Sequence, residues 1–277
     1  MFMTATSPVS NTFASQPGFG SALQAEWTKL RSIRSTWIIV SLGIGLSIGF
    51  SAVIALTSGL THDNWNNDVR EAFDPVLTTN SGSLFGCILL LVLGVTAVTS
   101  EYSSGMIRTT FIGKPQRLQV LAAKITMVAL FGLMIAAISI PGMFLVSQPI
   151  FRHYGLETAS ITDGTTARIL LTITLTQVLN YALIPFAAAW LLRGAASAIT
   201  VTLGFMWLPW MLGPVLPEWV KENVLRYLPD VAANSLSGIT KSDAPQYLSQ
   251  TPAIIVVAIW VVGALAAAAI VLNRRDV

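Results

Sequence analysis

The chain has 277 residues, 53% hydrophobic and 10% charged, against about 25% charged in an ordinary soluble protein. So small a charged fraction cannot clothe a water-facing surface, which argues against a soluble enzyme. The formal charge of +3 comes from basic residues scattered at segment ends, not gathered in a stripe, which argues against a nucleic-acid partner.

Residues 1–20 are rich in Ser, Thr, Pro and Gly and lack charge and any long apolar run, the composition of a disordered tail. They also lack the basic start of a signal peptide. Residues 21–277 read as one transmembrane domain. Within 21–36 and its border, Leu23, Trp27, Leu30 and Trp37 recur at helical spacing, with Lys29, Arg31 and Arg34 around that stripe. This is the pattern of an amphipathic helix in the membrane interface; a basic flank that merely orients the next span is the alternative. Six apolar blocks follow at about 37–58, 83–100, 125–146, 168–192, 196–215 and 253–272, each long enough to cross a bilayer. The fold class is all-α, a polytopic membrane protein of six transmembrane helices. Pro141, Pro185 and Pro209 lie within or near the ends of these blocks, and Arg193-Gly194 makes the fourth and fifth a tight hairpin. With both termini cytoplasmic, the inner side holds ten of the sixteen Lys and Arg residues and three of the thirteen acids. The Lys and Arg bias of short loops favours that orientation.

No catalytic or metal signature is present. Gly113-Lys114 has Arg108 where a phosphate loop needs its first glycine, and Pro115 where it needs a hydroxyl. His62 and His153 stand alone in outer loops, and Cys87 lies inside an apolar block. The spans hold almost no ionisable residue away from their ends, whereas ion-driven carriers place acids or unwound helix near the midplane. The energy for any transport must then come from outside the chain.

The most informative polar stretch is Glu101-Tyr102-Ser103-Ser104-Gly105-Met106-Ile107-Arg108-Thr109-Thr110, continuing through Lys114-Pro115-Gln116-Arg117 to Lys124. Ser103 or Ser104 is placed to cap a short helix whose Met106, Ile107 and Phe111 form an apolar knob flanked by Arg108, Lys114 and Arg117. Such a knob suits docking into a groove of a soluble partner; a membrane-surface loop whose charges set topology is the alternative. Gly45 and Gly49 with Ser41, and Gly82 with Gly86, are small-residue motifs for close helix approach, within one chain or between two.

A basic amphipathic N-terminus, two spans, Glu101-Tyr102-Ser-Ser-Gly105-Met106-Ile-Arg108-Thr, then Arg117 and Ala122-Ala123-Lys124 opening the third span: this order resembles the type-2 ABC exporter permeases, particularly those of actinobacteria, from Glu26 onward. The resemblance implies a dimer, of identical chains or of paralogues, each half resting on one ATP-binding cassette subunit that carries ATP and Mg, two copies in all. It places Glu101, Tyr102, Gly105, Met106, Ile107, Arg108, Arg117 and Lys124 in coupling, and the interfacial helix with Trp27, Lys29, Leu30, Arg31 and Arg34 against the ATPase. It favours Ser41, Gly45 and Gly49 as a dimer face and Phe205, Met206 and Trp207 as a lipophilic path. It further implies short re-entrant or interfacial helices between Pro214 and Pro252, for which a simple outer loop is the alternative. The chain would then bind no cofactor and catalyse nothing itself. It would sit in the bacterial plasma membrane and export a hydrophobic or amphipathic drug, lipid-like metabolite or peptide. A non-transporting anchor or sensor, a secondary carrier and a lipid scramblase are the competing readings.

Overall fold

The computed structural model describes residues 18–32, 34–105 and 117–274. Most of the expected tail, and Met106, Ile107 and Arg108 with the knob they were to form, lie outside the described residues. The regular structure among the described residues is all helical, and six runs are long and apolar enough to cross a membrane. This is the all-α, six-span architecture that the apolar blocks predict.

α1 (Phe19–Ser32) leads into α2 (Arg34–Thr61), the first span. Two expectations shift here. Phe19 and Gly20 already belong to α1, not to the tail, and Arg34 opens the first span instead of closing the interfacial helix. After α2 the sequence predicts only an outer loop, but two short helices form, α3 (Asn67–Ala72) and α4 (Pro75–Thr79). Each has its start signal: Asn66 accepts a hydrogen bond from the Val69 amide, and Asp74 accepts from Val76 and Leu77 ahead of a proline at the first turn. α5 (Ser83–Ser103) is the second span. The Ser103 and Ser104 hydroxyls both donate back to the Ser100 carbonyl at the end of α5; the short helix they were expected to cap lies outside the described residues. Gly105 then takes φ +69°, the left-handed turn that ends a helix and that glycine alone adopts freely.

α6 (Arg117–His153) is the third span and, at 37 residues, about 55 Å long, well beyond the roughly 30 Å of a hydrocarbon core. The excess length is taken up by tilt or by projection past the apolar layer. The fourth span runs through α7 (Gly164–Val178), one π-helical turn (Leu179–Leu183) and α8 (Ile184–Leu192), with Pro185 just past that turn. Arg193 (φ +58°) and the extended Gly194 make the predicted tight link to α9 (Ala195–Leu212), the fifth span. α10 (Glu218–Asn223) and α11 (Pro229–Leu236) are short helices in the segment between Pro214 and Pro252, and α12 (Gln250–Arg274) is the sixth span.

The second, third and fourth spans form the core around Leu90, Val95, Phe131, Ile135, Phe186 and Trp190, all at most 1% exposed. Glycines set how closely these helices approach: a methyl at Gly94 would overlap the Ala182 carbonyl, and one at Gly82 would overlap the Ser47 carbonyl. The most apolar windows of the first, fifth and sixth spans are only 22%, 17% and 17% buried, so their outward faces need lipid or another chain.

Candidate functional site

At one end of the bundle α1, the end of α5 and the start of α6 meet, and four charged side chains close a ring. Lys124 Nζ donates to Glu101 Oε1 at 2.6 Å and to Glu26 Oε2 at 2.9 Å. Lys29 Nζ donates to the same Glu101 oxygen at 2.6 Å and to Glu26 Oε1 at 2.9 Å. Two acids and two lysines cancel, and every charge has two opposite neighbours, which is how charges become tolerable away from water. The Lys124 side chain is 2% exposed and that of Glu101 7%. Burial disfavours the Lys29 ammonium, but hydrogen bonds to Glu101 and Glu26 outweigh it, so its pKa lies above the ordinary lysine value. The ring forms the polar border of an apolar cleft of about 530 Å³ walled by Val40, Leu89, Leu93 and Val128.

Glu101 and Lys124, singled out from sequence, are thus brought together, and Lys29 joins them. Glu26 was missed, although an acid three residues before Lys29 in an otherwise basic helix is a visible signal. Of the other interfacial residues, Trp27 packs on Phe131 of α6, Leu30 touches the core, and Arg31 and Arg34 stay exposed. Tyr102 points inward: its ring meets Trp190 edge-on at 5.9 Å and lies under the Arg193 guanidinium at 5.6 Å. Arg117 Nη1 donates to the Leu272 carbonyl at 3.1 Å, which places the C-terminal end of α12 at this same end of the bundle.

The small-residue motifs separate. A methyl at Gly86 would meet the Gln177 amide, and one at Gly82 would meet the first span, so this pair serves packing within the chain. Ser41, Gly45 and Gly49 lie exposed on one face of α2, with nothing within 4 Å of a methyl at either glycine.

Towards the opposite end, α5, α7, the π turn, α9 and α11 line a half-open cavity of about 580 Å³. Met206 and Trp207 line it with Trp210 and Met211. Phe205, predicted beside them, is not among the lining residues and packs at a tilt against Trp260, with centroids 4.9 Å apart. The polar side is built from residues that sequence reasoning did not single out. The Tyr181 hydroxyl donates to Asp230 Oδ1 at 2.8 Å, and Asn180 Nδ2 donates to the Pro229 carbonyl at 3.0 Å. Two amides at positions 177 and 180, one helical turn apart in an apolar span, were the available signal.

Burial pushes the Asp230 carboxyl above the ordinary aspartate value, with the hydrogen bonds from Tyr181 and Asn234 opposing it. A carboxyl raised on folding stabilises the native state most at low pH. That contribution falls as pH rises from the unfolded value of 3.8 through the folded one. Followed upward from about pH 4, the thermal stability of the native chain should therefore fall relative to that of Asp230→Asn. Equal slopes for the two proteins would contradict it.

Among known families, residues 22–208 match the model described as ABC-2 family transporter protein. No curated protein matches the chain. The matched stretch holds all four residues of the charge ring; α10, α11 and α12 lie beyond it.

Proposed function

The chain belongs to the ABC-2 transporter family, as a multi-pass membrane permease, and from that premise we propose that it is the membrane half of an ATP-driven exporter. The charge ring of Glu26, Lys29, Glu101 and Lys124 carries this reading. It clamps α1 to the end of the second span and the start of the third, the two that residues 106–116 join in sequence, so a force on α1 or on that link reaches both spans together. Phosphoryl transfer stays on a separate ATP-binding cassette subunit with its ATP and Mg, one under each half. Nucleotide-driven closure of those subunits biases a two-state arrangement of the spans. The ring end is cytoplasmic, as the Lys and Arg bias favours, and both termini lie there. Two permeases associate through the open Ser41, Gly45 and Gly49 face. The bacterial plasma membrane is the setting, and the cargo is hydrophobic or amphipathic.

Affinity purification of the tagged chain from its native membranes should bring down an ATP-binding cassette protein. Its reproducible absence would sink the reading. In the assembled complex, Lys29→Gln is expected to cut transport-linked ATP hydrolysis about two- to five-fold, the effect of one part-exposed ion pair, while the chain still folds. Hydrolysis and transport both unchanged would remove the ring from coupling.

A further inference from the structure

The cavity at the far end from the ring has a chemistry of its own. Its walls are apolar and aromatic, with Trp207, Trp210, Met206 and Met211 on α9. Its polar side offers acceptors. Asn180 is 1% exposed, spends its amide N–H on the Pro229 carbonyl, and leaves Oδ1 with no partner. Asp230 stands beside it on α11 and receives Tyr181 on one oxygen and Asn234, at 3.4 Å, on the other, so lone pairs remain free on both. The titratable groups around Asp230 are Tyr181 from the π turn and Cys87 from α5; among the described residues no Lys, Arg or His lines the cavity. The protein thus supplies acceptors without a cation to satisfy them, next to indole faces that favour cations.

We propose that this cavity binds a protonated amine with an apolar body, the ammonium donating to Asp230 and to Asn180 Oδ1 while the body lies among Trp207, Trp210, Met206 and Met211. An ammonium has several N–H donors and a charge, which matches two free acceptor groups better than a neutral or anionic head. The inference deepens the exporter reading by giving the cargo a class and rests on that reading for its role as cargo; the binding itself does not.

The test uses the full chain in lipid nanodiscs without any ATPase. Dansylcadaverine, a primary amine, is compared with its N-acetyl derivative, which is neutral and otherwise alike, by energy transfer from tryptophan after subtraction of the signal from empty nanodiscs. The amine should bind about ten-fold more tightly or better, the worth of a charge-assisted hydrogen bond. Asp230→Asn, which keeps an acceptor for Tyr181, should abolish that preference. Equal affinity of the two probes for the unmodified chain would overturn the proposal without needing any variant. A preference that persists in Asp230→Asn would put the amine elsewhere and overturn it too. Neither result bears on whether an ATP-binding cassette protein associates with the chain, so the two readings fail separately.

Discussion

Exchanging Lys124 for methionine is expected to lower the stability of the folded chain by about 3–5 kcal/mol, the cost of removing one partner from a buried ion pair. Lys124 is the most buried member of the ring and bonds both acids. Without it Glu101 and Glu26 share only Lys29, and one negative charge stays uncompensated next to apolar walls. The second substitution should then rescue the first: Lys124→Met with Glu101→Gln leaves the neutral pair of Lys29 and Glu26 and should recover about half of the loss or more. Thermal unfolding of the purified chain in lipid, followed by loss of its monodisperse elution, reads both. If the double variant is as unstable as the sum of its parts, Lys124 works through packing and not through charge. Lys29→Met should cost less than Lys124→Met, because the Lys29 side chain is 35% exposed and water already screens part of its charge.

The second large effect is a reversal of sign between glycines. Gly94→Ala and Gly82→Ala should each destabilise the chain by about 1–3 kcal/mol, since the new methyl meets a backbone carbonyl that cannot rotate away. Gly45→Ala meets nothing in the chain and removes a flexible residue from a helix, so it should leave the monomer as stable or raise it by up to about 1 kcal/mol. The larger Gly45→Leu should likewise spare the monomer but weaken self-association if α2 meets a second chain there. Unfolding and cross-linking in lipid measure the two effects. Equal destabilisation at positions 45 and 82 would refute the sorting of the two motifs.

That sorting shows where the sequence stops being legible. The six spans follow from block length and apolar content alone, because lipid demands both. Ser41, Gly45 and Gly49 read the same as Gly82 and Gly86, since a small-residue spacing says that something comes close but not what. Glu101 and Lys124 drew notice because charge at a span boundary is informative in itself. Their ring was not visible, because Glu26 lies 98 residues from Lys124 and Lys29 lies 72 from Glu101. Gly105, which the resemblance assigns to coupling, also has a local reason to be glycine in its φ of +69°. The far cavity was least legible, for its walls come from four separate segments and Asp230 in sequence is only an acid after a proline. Arg193 takes the left-handed position while the neighbouring Gly194 is extended, the reverse of what intrinsic preference suggests; the Tyr102 ring beneath its guanidinium holds the side chain in place.

The ring has an electrical consequence. An element that carries net charge through part of a membrane does work against the transmembrane potential, about 2.3 kcal/mol per elementary charge per 100 mV. Glu26, Lys29, Glu101 and Lys124 move, if they move as one clamped unit, with no net charge between them. The four ring charges, moved together, therefore do no net work against that potential; only charges outside the ring, such as Arg31 of α1 and Arg117 of α6, would feel it.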